Sequence, residues 1–214
     1  MSLFVSLIRR EVGLAFASGA WLPVAFFLLV AVLYPFGVGP DGPLLAKTGG
    51  GVVWIAALLA ALLPVDRLIA PDMEAGVLDQ LAVRGVSEEA VAGAKLVAHW
   101  LSFGPPLMLA AVPAAALLRL SGETLLRIEL GLLIGTPGLA ALGLMVASIT
   151  AGLRRAGALA GLLMLPLAVP LLIFGAGSLA PDPGGALKLL AACSLMLCAV
   201  TPFAAGAAIR AGRE

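Results

Sequence analysis

The sequence has little charge. Its 214 residues include 13 Lys and Arg, 12 Asp and Glu, and one His, so charged residues make up 12% of the chain. This is about half the share found in soluble domains. The net charge of +1 excludes a strongly basic nucleic-acid-binding protein and an acidic disordered tail. We therefore expect no nucleic-acid partner.

Residues that carry catalysis, metal binding or nucleotide binding are also scarce. Cys193 and Cys198 are five positions apart and diverge around a helix, and a single His cannot supply a two-His zinc motif. The segment nearest to a phosphate-binding loop ends in Lys47-Thr48, but Asp41 and Ala46 stand where its glycines are needed. The sequence thus predicts no metal site, no catalytic residue and no ATP site in this chain.

Long uncharged stretches dominate what remains. Apolar residues make up 62% of the chain, and its mean hydropathy is +1.12. Six stretches of 18 to 29 residues carry no Asp, Glu, Lys or Arg: 12–40, 48–65, 96–118, 130–153, 156–181 and 189–209. A helix needs about 20 apolar residues to cross a bilayer. A soluble helical bundle would need polar outward faces, which these stretches lack. We predict an all-α, polytopic membrane protein with six transmembrane helices, residues 1–214 forming one permease domain.

The positive charges predict the orientation of the chain. With both termini in the cytoplasm, nine Lys and Arg lie inside and four outside, as the positive-inside rule favours. The inner residues are Arg9, Arg10, Arg67, Arg84, Lys95, Arg154, Arg155, Arg210 and Arg213, and the outer ones are Lys47, Arg119, Arg127 and Lys188. Residues 1–18 are partly amphipathic and predict a helix in the inner interface; a simple extension of the first span is the alternative.

The segment 66–95 is the longest polar connection and is placed in the cytoplasm. Pro71, followed by Asp72 and Glu74, is typical of a helix start, and Leu78 and Leu81 share one face. Ser87 with the two glutamates after it indicates a second helix start. The segment is either a solvated connector or a docking helix for a cytoplasmic partner.

Proline interrupts the fifth span. Pro166 and Pro170 lie four positions apart, and each removes a backbone donor. We expect the helix to be kinked or broken there, facing protein or a wet cavity, with an outer segment that begins at Gly175.

Several motifs resemble those of one known family. The stretch 135–175 carries the most specific part, with Gly135-Thr-Pro137, the Leu-Arg-Arg at 153–155, and the segment from Leu165 to Gly175 that includes both prolines. The loop resembles the family pattern D-x-x-D-G-x-L-E-Q-L through Asp72, Gly76, Leu78, Asp79, Gln80 and Leu81, with Ala75 where Asp is usual and Asp79 in place of Glu. Arg10-Glu11 resembles the family's N-terminal element. Together these motifs resemble the CcmB family, the B-type membrane subunits of the bacterial haem exporter of cytochrome c maturation.

The resemblance implies a non-catalytic permease of the ABC exporter type in the bacterial inner membrane, driven by a separate cytoplasmic ATPase that binds ATP and Mg²⁺. Other implied partners are a polytopic haem-handling subunit, a one-span subunit and a periplasmic haem chaperone; we expect two copies of this chain per complex. Residues 71–84 are expected to dock on the ATPase chiefly through Leu78 and Leu81, with Asp72, Glu74 and Asp79 fixing the register. Conformational change is expected at Gly135, Pro137, Pro166, Pro170 and Gly175.

Three functions stay open at this level. The chain is a permease that passes haem, a scaffold whose motion releases the loaded chaperone, or, with less support, a permease for another substrate. The complex would handle haem, and this chain alone would bind no cofactor. His99 is interpreted as an interfacial, hydrogen-bonded side chain, with a haem axial ligand as the alternative.

Overall fold

The computed structural model describes residues 3–153, 156–180 and 183–213. Within these ranges the chain is helical and contains no strand. The helices are α1 (Leu3–Ala17), α2 (Trp21–Val38), α3 (Gly42–Leu62), α4 (Ala70–Glu74), α5 (Val77–Val83), α6 (Glu88–Leu117), α7 (Gly122–Thr150), α8 (Ala156–Gly177) and α9 (Ala186–Ala211). A 3-10 turn, Val65–Arg67, lies between α3 and α4. Arg154 and Arg155, counted above for orientation, lie outside the described residues.

Six segments of the described chain are long and apolar enough to cross a membrane. They are α2, α3 with the connection that follows it, and α6 to α9. The predicted all-α, six-span architecture is therefore confirmed.

Two of the spans begin at serine caps, several residues before the uncharged stretches begin. The Ser87 hydroxyl accepts a hydrogen bond from the Ala90 N–H at the start of α6, as predicted, and Ser121 accepts one from Thr124 at the start of α7. Such caps satisfy backbone donors that have no partner inside the helix. The extension brings charged side chains, Lys95 among them, into the long helices.

The N-terminal segment forms a helix of its own. α1 ends at Ala17, and Gly19 then takes a φ of +100°, a conformation that glycine adopts without steric cost. α2 begins two residues later and α1 turns to pack against α6. α1 is therefore a separate helix and not a simple extension of the first span. Its position in the membrane interface stays a prediction.

Trp54 of α3 lies in a slot formed by three glycines. Its side chain is fully buried, and a Cβ added to Gly131, Gly135 or Gly175 would stand only 2.9, 2.7 or 2.5 Å from its ring. Real Cβ contacts do not approach so closely, so only glycine fits at these positions. The slot joins α3, α7 and α8 in the centre of the bundle, as the small residues of α7 favour.

The break expected in the fifth span is wrong, whereas a kink there stays a prediction. α8 runs as one helix through Pro166 and Pro170, and α7 is likewise continuous through Pro137. Each proline removes one donor, but the other hydrogen bonds of the helix persist. Both prolines of α8 face away from the rest of the chain, while Met164, Ala168 and Leu171 face inward.

Gly135 and Gly175 therefore serve close packing in the slot, and neither one begins a separate segment. A role in conformational change for Gly135, Pro137, Pro166, Pro170 and Gly175 stays a prediction.

Candidate functional site

Four charged side chains from three helices meet at one end of the bundle. The ammonium Nζ of Lys95, on α6, lies 2.5 Å from Asp72 Oδ2 on α4 and 2.8 Å from Glu11 Oε2 on α1. Arg10 of α1 donates to Asp72 Oδ1 at 2.7 Å and also contacts Glu11. We call Arg10, Glu11, Asp72 and Lys95 the four-charge cluster. It ties the N-terminal helix and the loop helix α4 to the third span.

Burial makes this cluster energetically important. The Lys95 side chain is only 5% exposed and the two carboxylates 11–12%, whereas Arg10 reaches solvent. Removing one member of a buried ion pair leaves its partner unpaired and costs about 3–5 kcal/mol. The hydrogen bond to Asp72 also holds the pKa of Arg10 above its ordinary value, so this charge persists at any physiological pH. The three helices are therefore held together as a unit.

The sequence singled out three of these four residues and missed Lys95. Arg10 and Glu11 were named by resemblance, and Asp72 as part of the docking helix. Lys95 was counted only as a loop charge, because α6 begins earlier than the uncharged stretch indicates. The helical spacing of Lys95, His99 and Ser102 places all three on one face, and that signal could have identified it.

A second cluster ties the C-terminal helix to the loop. Arg213 donates to Asp79 Oδ1 at 2.6 Å and to Glu88 Oε1 at 2.8 Å. Arg210 donates to Glu89 Oε1 at 2.7 Å. We call these five residues the C-terminal cluster. Arg210 and Asp79 are largely exposed, so the pairs that include them contribute at most about 1 kcal/mol each, whereas the Arg213–Glu88 pair is mostly buried.

The loop between the second and third spans contains two short helices. Pro71 lies in the first turn of α4, as predicted. Gly76 separates α4 from α5 with a φ of +67°, a left-handed conformation that favours glycine. Leu78 of α5 is only 4% exposed and packs into the core of the bundle, with Leu81 half-buried beside it.

This burial corrects the expected docking contacts. Leu78 cannot be the chief contact for a partner, because the chain's own core covers it. Asp72 is likewise buried within the four-charge cluster, and Asp79 is exposed but paired with Arg213. Other side chains of this loop are exposed and could contact a partner. We call four of them the loop-helix face: Glu74, Gln80, Val83 and Arg84. Val83 is 88% exposed.

His99 is buried inside the helix bundle. It is 3% exposed and its ring lies 4.9 Å from that of Phe103. Its Nε2 has no hydrogen-bond partner among the described residues and lies against Gly143 of α7, where an added Cβ would be 3.4 Å away. The expected hydrogen bond is therefore absent at Nε2 within the described part of the chain, and the interfacial position of His99 in the membrane stays a prediction.

Comparison with known proteins covers the chain from end to end. A sequence model of the CcmB protein family matches residues 2–212. This chain belongs to the CcmB family. Heme exporter protein B of Rhodobacter capsulatus is 46% identical over 212 residues, covering 96% of this chain and 97% of that protein. Heme exporter protein B of Haemophilus influenzae is 40% identical over 215 residues, 97% of each chain. The Escherichia coli K12 protein of the same name is 38% identical over 215 residues, 97% of this chain and 98% of its own.

The match confirms the family that the sequence motifs indicate. It includes every helix described here, so the six spans, α1 and the loop helices all belong to the part that this chain shares with the family. Membership of this family agrees with a membrane protein that acts as a subunit of a transport system.

Proposed function

We propose that this chain is the membrane subunit of a bacterial haem export system and acts as a non-catalytic permease. The observation that carries the proposal is near full-length similarity to several proteins named heme exporter protein B. The sequence has no phosphate-binding loop of its own, so a separate ATPase subunit would bind ATP and Mg²⁺ and supply the energy.

The ATPase docks on the loop-helix face. Val83 provides an exposed apolar side chain, with Gln80 three positions before it and Arg84 directly after it. Glu74 adds an exposed charge on the preceding helix α4. A central apolar contact with a polar rim is the usual anatomy of a docking surface. Leu78 plays a different part from the one expected, because it fastens α5 to the bundle.

The two charge clusters transmit the motion of the ATPase. A push on α4 and α5 reaches α1 and the third span through Asp72 and Lys95, and it reaches α9 through Asp79 and Arg213. Buried, paired contacts keep their geometry when the helices move. The loop helices and the spans therefore move together as rigid bodies.

The complex lies in the inner membrane with both termini of this chain in the cytoplasm. The end of the bundle that carries the four-charge cluster also carries Arg9, Arg67, Arg84, Arg210 and Arg213, which the positive-inside rule favours on the cytoplasmic side. Two copies of this chain, each with one ATPase, work with a polytopic haem-handling subunit, a one-span subunit and a periplasmic haem chaperone.

A conformational scaffold is the second candidate. Here the ATP-driven motion changes the haem-handling subunit and releases the loaded chaperone, while no haem crosses this chain. The six uncharged stretches favour this alternative, because haem propionates would need Arg or Lys along their path.

A reconstituted complex distinguishes the two functions. The complex is placed in vesicles with haem outside and a haem-binding reporter protein inside, and ATP is added with or without the chaperone. ATP-dependent haem uptake without chaperone supports the permease, whereas chaperone release without uptake supports the scaffold. An ATPase variant that binds but does not hydrolyse ATP is the control. If ATP hydrolysis drives neither process, the proposed function is wrong.

A further inference from the structure

A cavity of about 380 Å³ opens beside the four-charge cluster. It lies between α1, the start of α2, the connection from Pro64 to Val77, and α6. This volume falls in the range of small-ligand pockets, about 300–1,000 Å³. Its lining contains three cations, Arg10, Arg67 and Lys95, and two carboxylates, Glu11 and Asp72. The wall of this cavity therefore has an excess of positive charge.

Arg67 supplies that excess. One of its nitrogens donates to the Ser18 carbonyl at 2.6 Å, but no carboxylate pairs with it among the described residues. In contrast, Arg10 and Lys95 form ion pairs with Glu11 and Asp72. The Arg67 guanidinium therefore keeps donors for an anion that comes from outside the chain.

The indole of Trp21 lies close to the same guanidinium. The Trp21 Nε1 and Arg67 NH1 atoms each lie 3.8 Å from the position that a Cβ on Gly19 would occupy. Because Gly19 has no side chain, the space between these two N–H donors is open. This space lies at the edge of the cavity. Trp21 is 68% exposed, and tryptophan is enriched at the level of lipid headgroups.

An apolar groove begins where the charged cavity ends. This second cavity, about 460 Å³, is lined by apolar side chains of α1, α2 and α6, including Phe16, Val24, Leu28 and Pro106. Ala20 lines both cavities, so the two are adjacent. A charged compartment next to an apolar groove is complementary to an amphiphile with an anionic head and a flexible hydrocarbon chain.

We propose that these two cavities bind one anionic phospholipid of the cytoplasmic leaflet. Its phosphate contacts Arg67 and Trp21, and one acyl chain lies in the groove between α1 and α2. His99 also lines the charged cavity, with its Nε2 against Gly143 of α7, so haem is the competing ligand to be tested. The bound lipid joins α1 to the connection that leads into the loop helices.

Native mass spectrometry of the full-length chain in detergent tests this inference. Phosphatidylglycerol is titrated against phosphatidylcholine, and we expect the anionic lipid to bind more tightly. Arg67→Gln should weaken phosphatidylglycerol binding about tenfold, because a charge-assisted contact is lost. Arg9→Gln is the matched control, since Arg9 is exposed on α1 and lines neither cavity.

A second pair of variants tests the groove without changing any charge. Ala25→Phe fills the groove and should weaken phosphatidylglycerol binding, whereas Leu29→Phe, on the same helix but outside the groove, should not. Equal binding by Arg67→Gln and Arg9→Gln overturns the inference. So does equal affinity for glycerol phosphate, which identifies a plain anion site, or displacement of the lipid by haem. The readout needs neither ATPase nor transport, so its failure is distinct from a failure of the proposed function.

Discussion

Lys95 Nζ lies 2.5 Å from Asp72 Oδ2, and this contact joins the third span to the first loop helix. Lys95 comes 23 positions after Asp72 in the chain, and its second partner, Glu11, lies 84 positions before it. One buried ammonium thus connects three segments that the chain order separates.

Replacement of Lys95 tests the energetic weight of this contact. Lys95→Met removes the buried cation and leaves Glu11 and Asp72 to share Arg10. Because two buried carboxylates then have one cation between them, we expect a loss of up to about 3–5 kcal/mol in the free energy of unfolding. Chemical denaturation of the purified chain in detergent measures it. Lys47→Met is the matched control, because Lys47 is exposed at the other end of α3 from the loop.

The double variant Lys95→Met with Asp72→Leu sharpens this test. Arg10 and Glu11 can still pair with each other, so the double variant should be more stable than the sum of the single losses predicts. Strict additivity would mean that the cluster does not act as a unit.

Gly175→Ala tests the tryptophan slot. The new methyl would stand 2.5 Å from the Trp54 ring, and overpacking of this kind costs about 1–3 kcal/mol. The loss should appear as a lower melting temperature in detergent. Gly161→Ala, on the same helix with nothing within 4 Å, should be neutral or slightly stabilising. Equal behaviour of the two variants would contradict the slot.

The sequence predicts the six spans well, because an uncharged stretch of such length is stable only in lipid. It predicts their packing poorly. Nothing in the sequence around Trp54 indicates that three glycines from two distant helices bury it in the bundle. The helix break expected at Pro166 is absent, since a local preference of one residue does not outweigh the remaining hydrogen bonds of a long helix. Lys95 was missed because its partners are far away in the chain.

Variants of Val83 and Leu78 separate the effect on ATPase docking from the effect on folding. Val83→Asp should abolish co-purification with the ATPase while the melting temperature stays unchanged, because Val83 is exposed. Leu78→Asp should lower the melting temperature, because it places a charge in the core. Val83→Ile is the conservative control and should retain the ATPase. If Val83→Asp still binds the ATPase with normal ATP turnover, the loop-helix face is not the docking surface.

Loss of the C-terminal cluster should loosen the loop without unfolding the chain. In the double variant Arg210→Ala with Arg213→Ala, hydrogen exchange should speed up in Val77–Val83, while α7 stays protected. Most of the lost pairs are exposed and individually weak, so global stability should fall by only about 1–3 kcal/mol. Lys188→Ala, at the other end of α9, should leave exchange in α5 unchanged.

Complementation tests the central claim most directly. The chain is expressed in a bacterium that lacks its own heme exporter protein B, and covalently bound haem is measured in its c-type cytochromes. We predict that this chain restores the haem signal and that Val83→Asp does not. No restoration, with the chain present in the membrane at the level of the bacterium's own protein, would contradict a role in haem export.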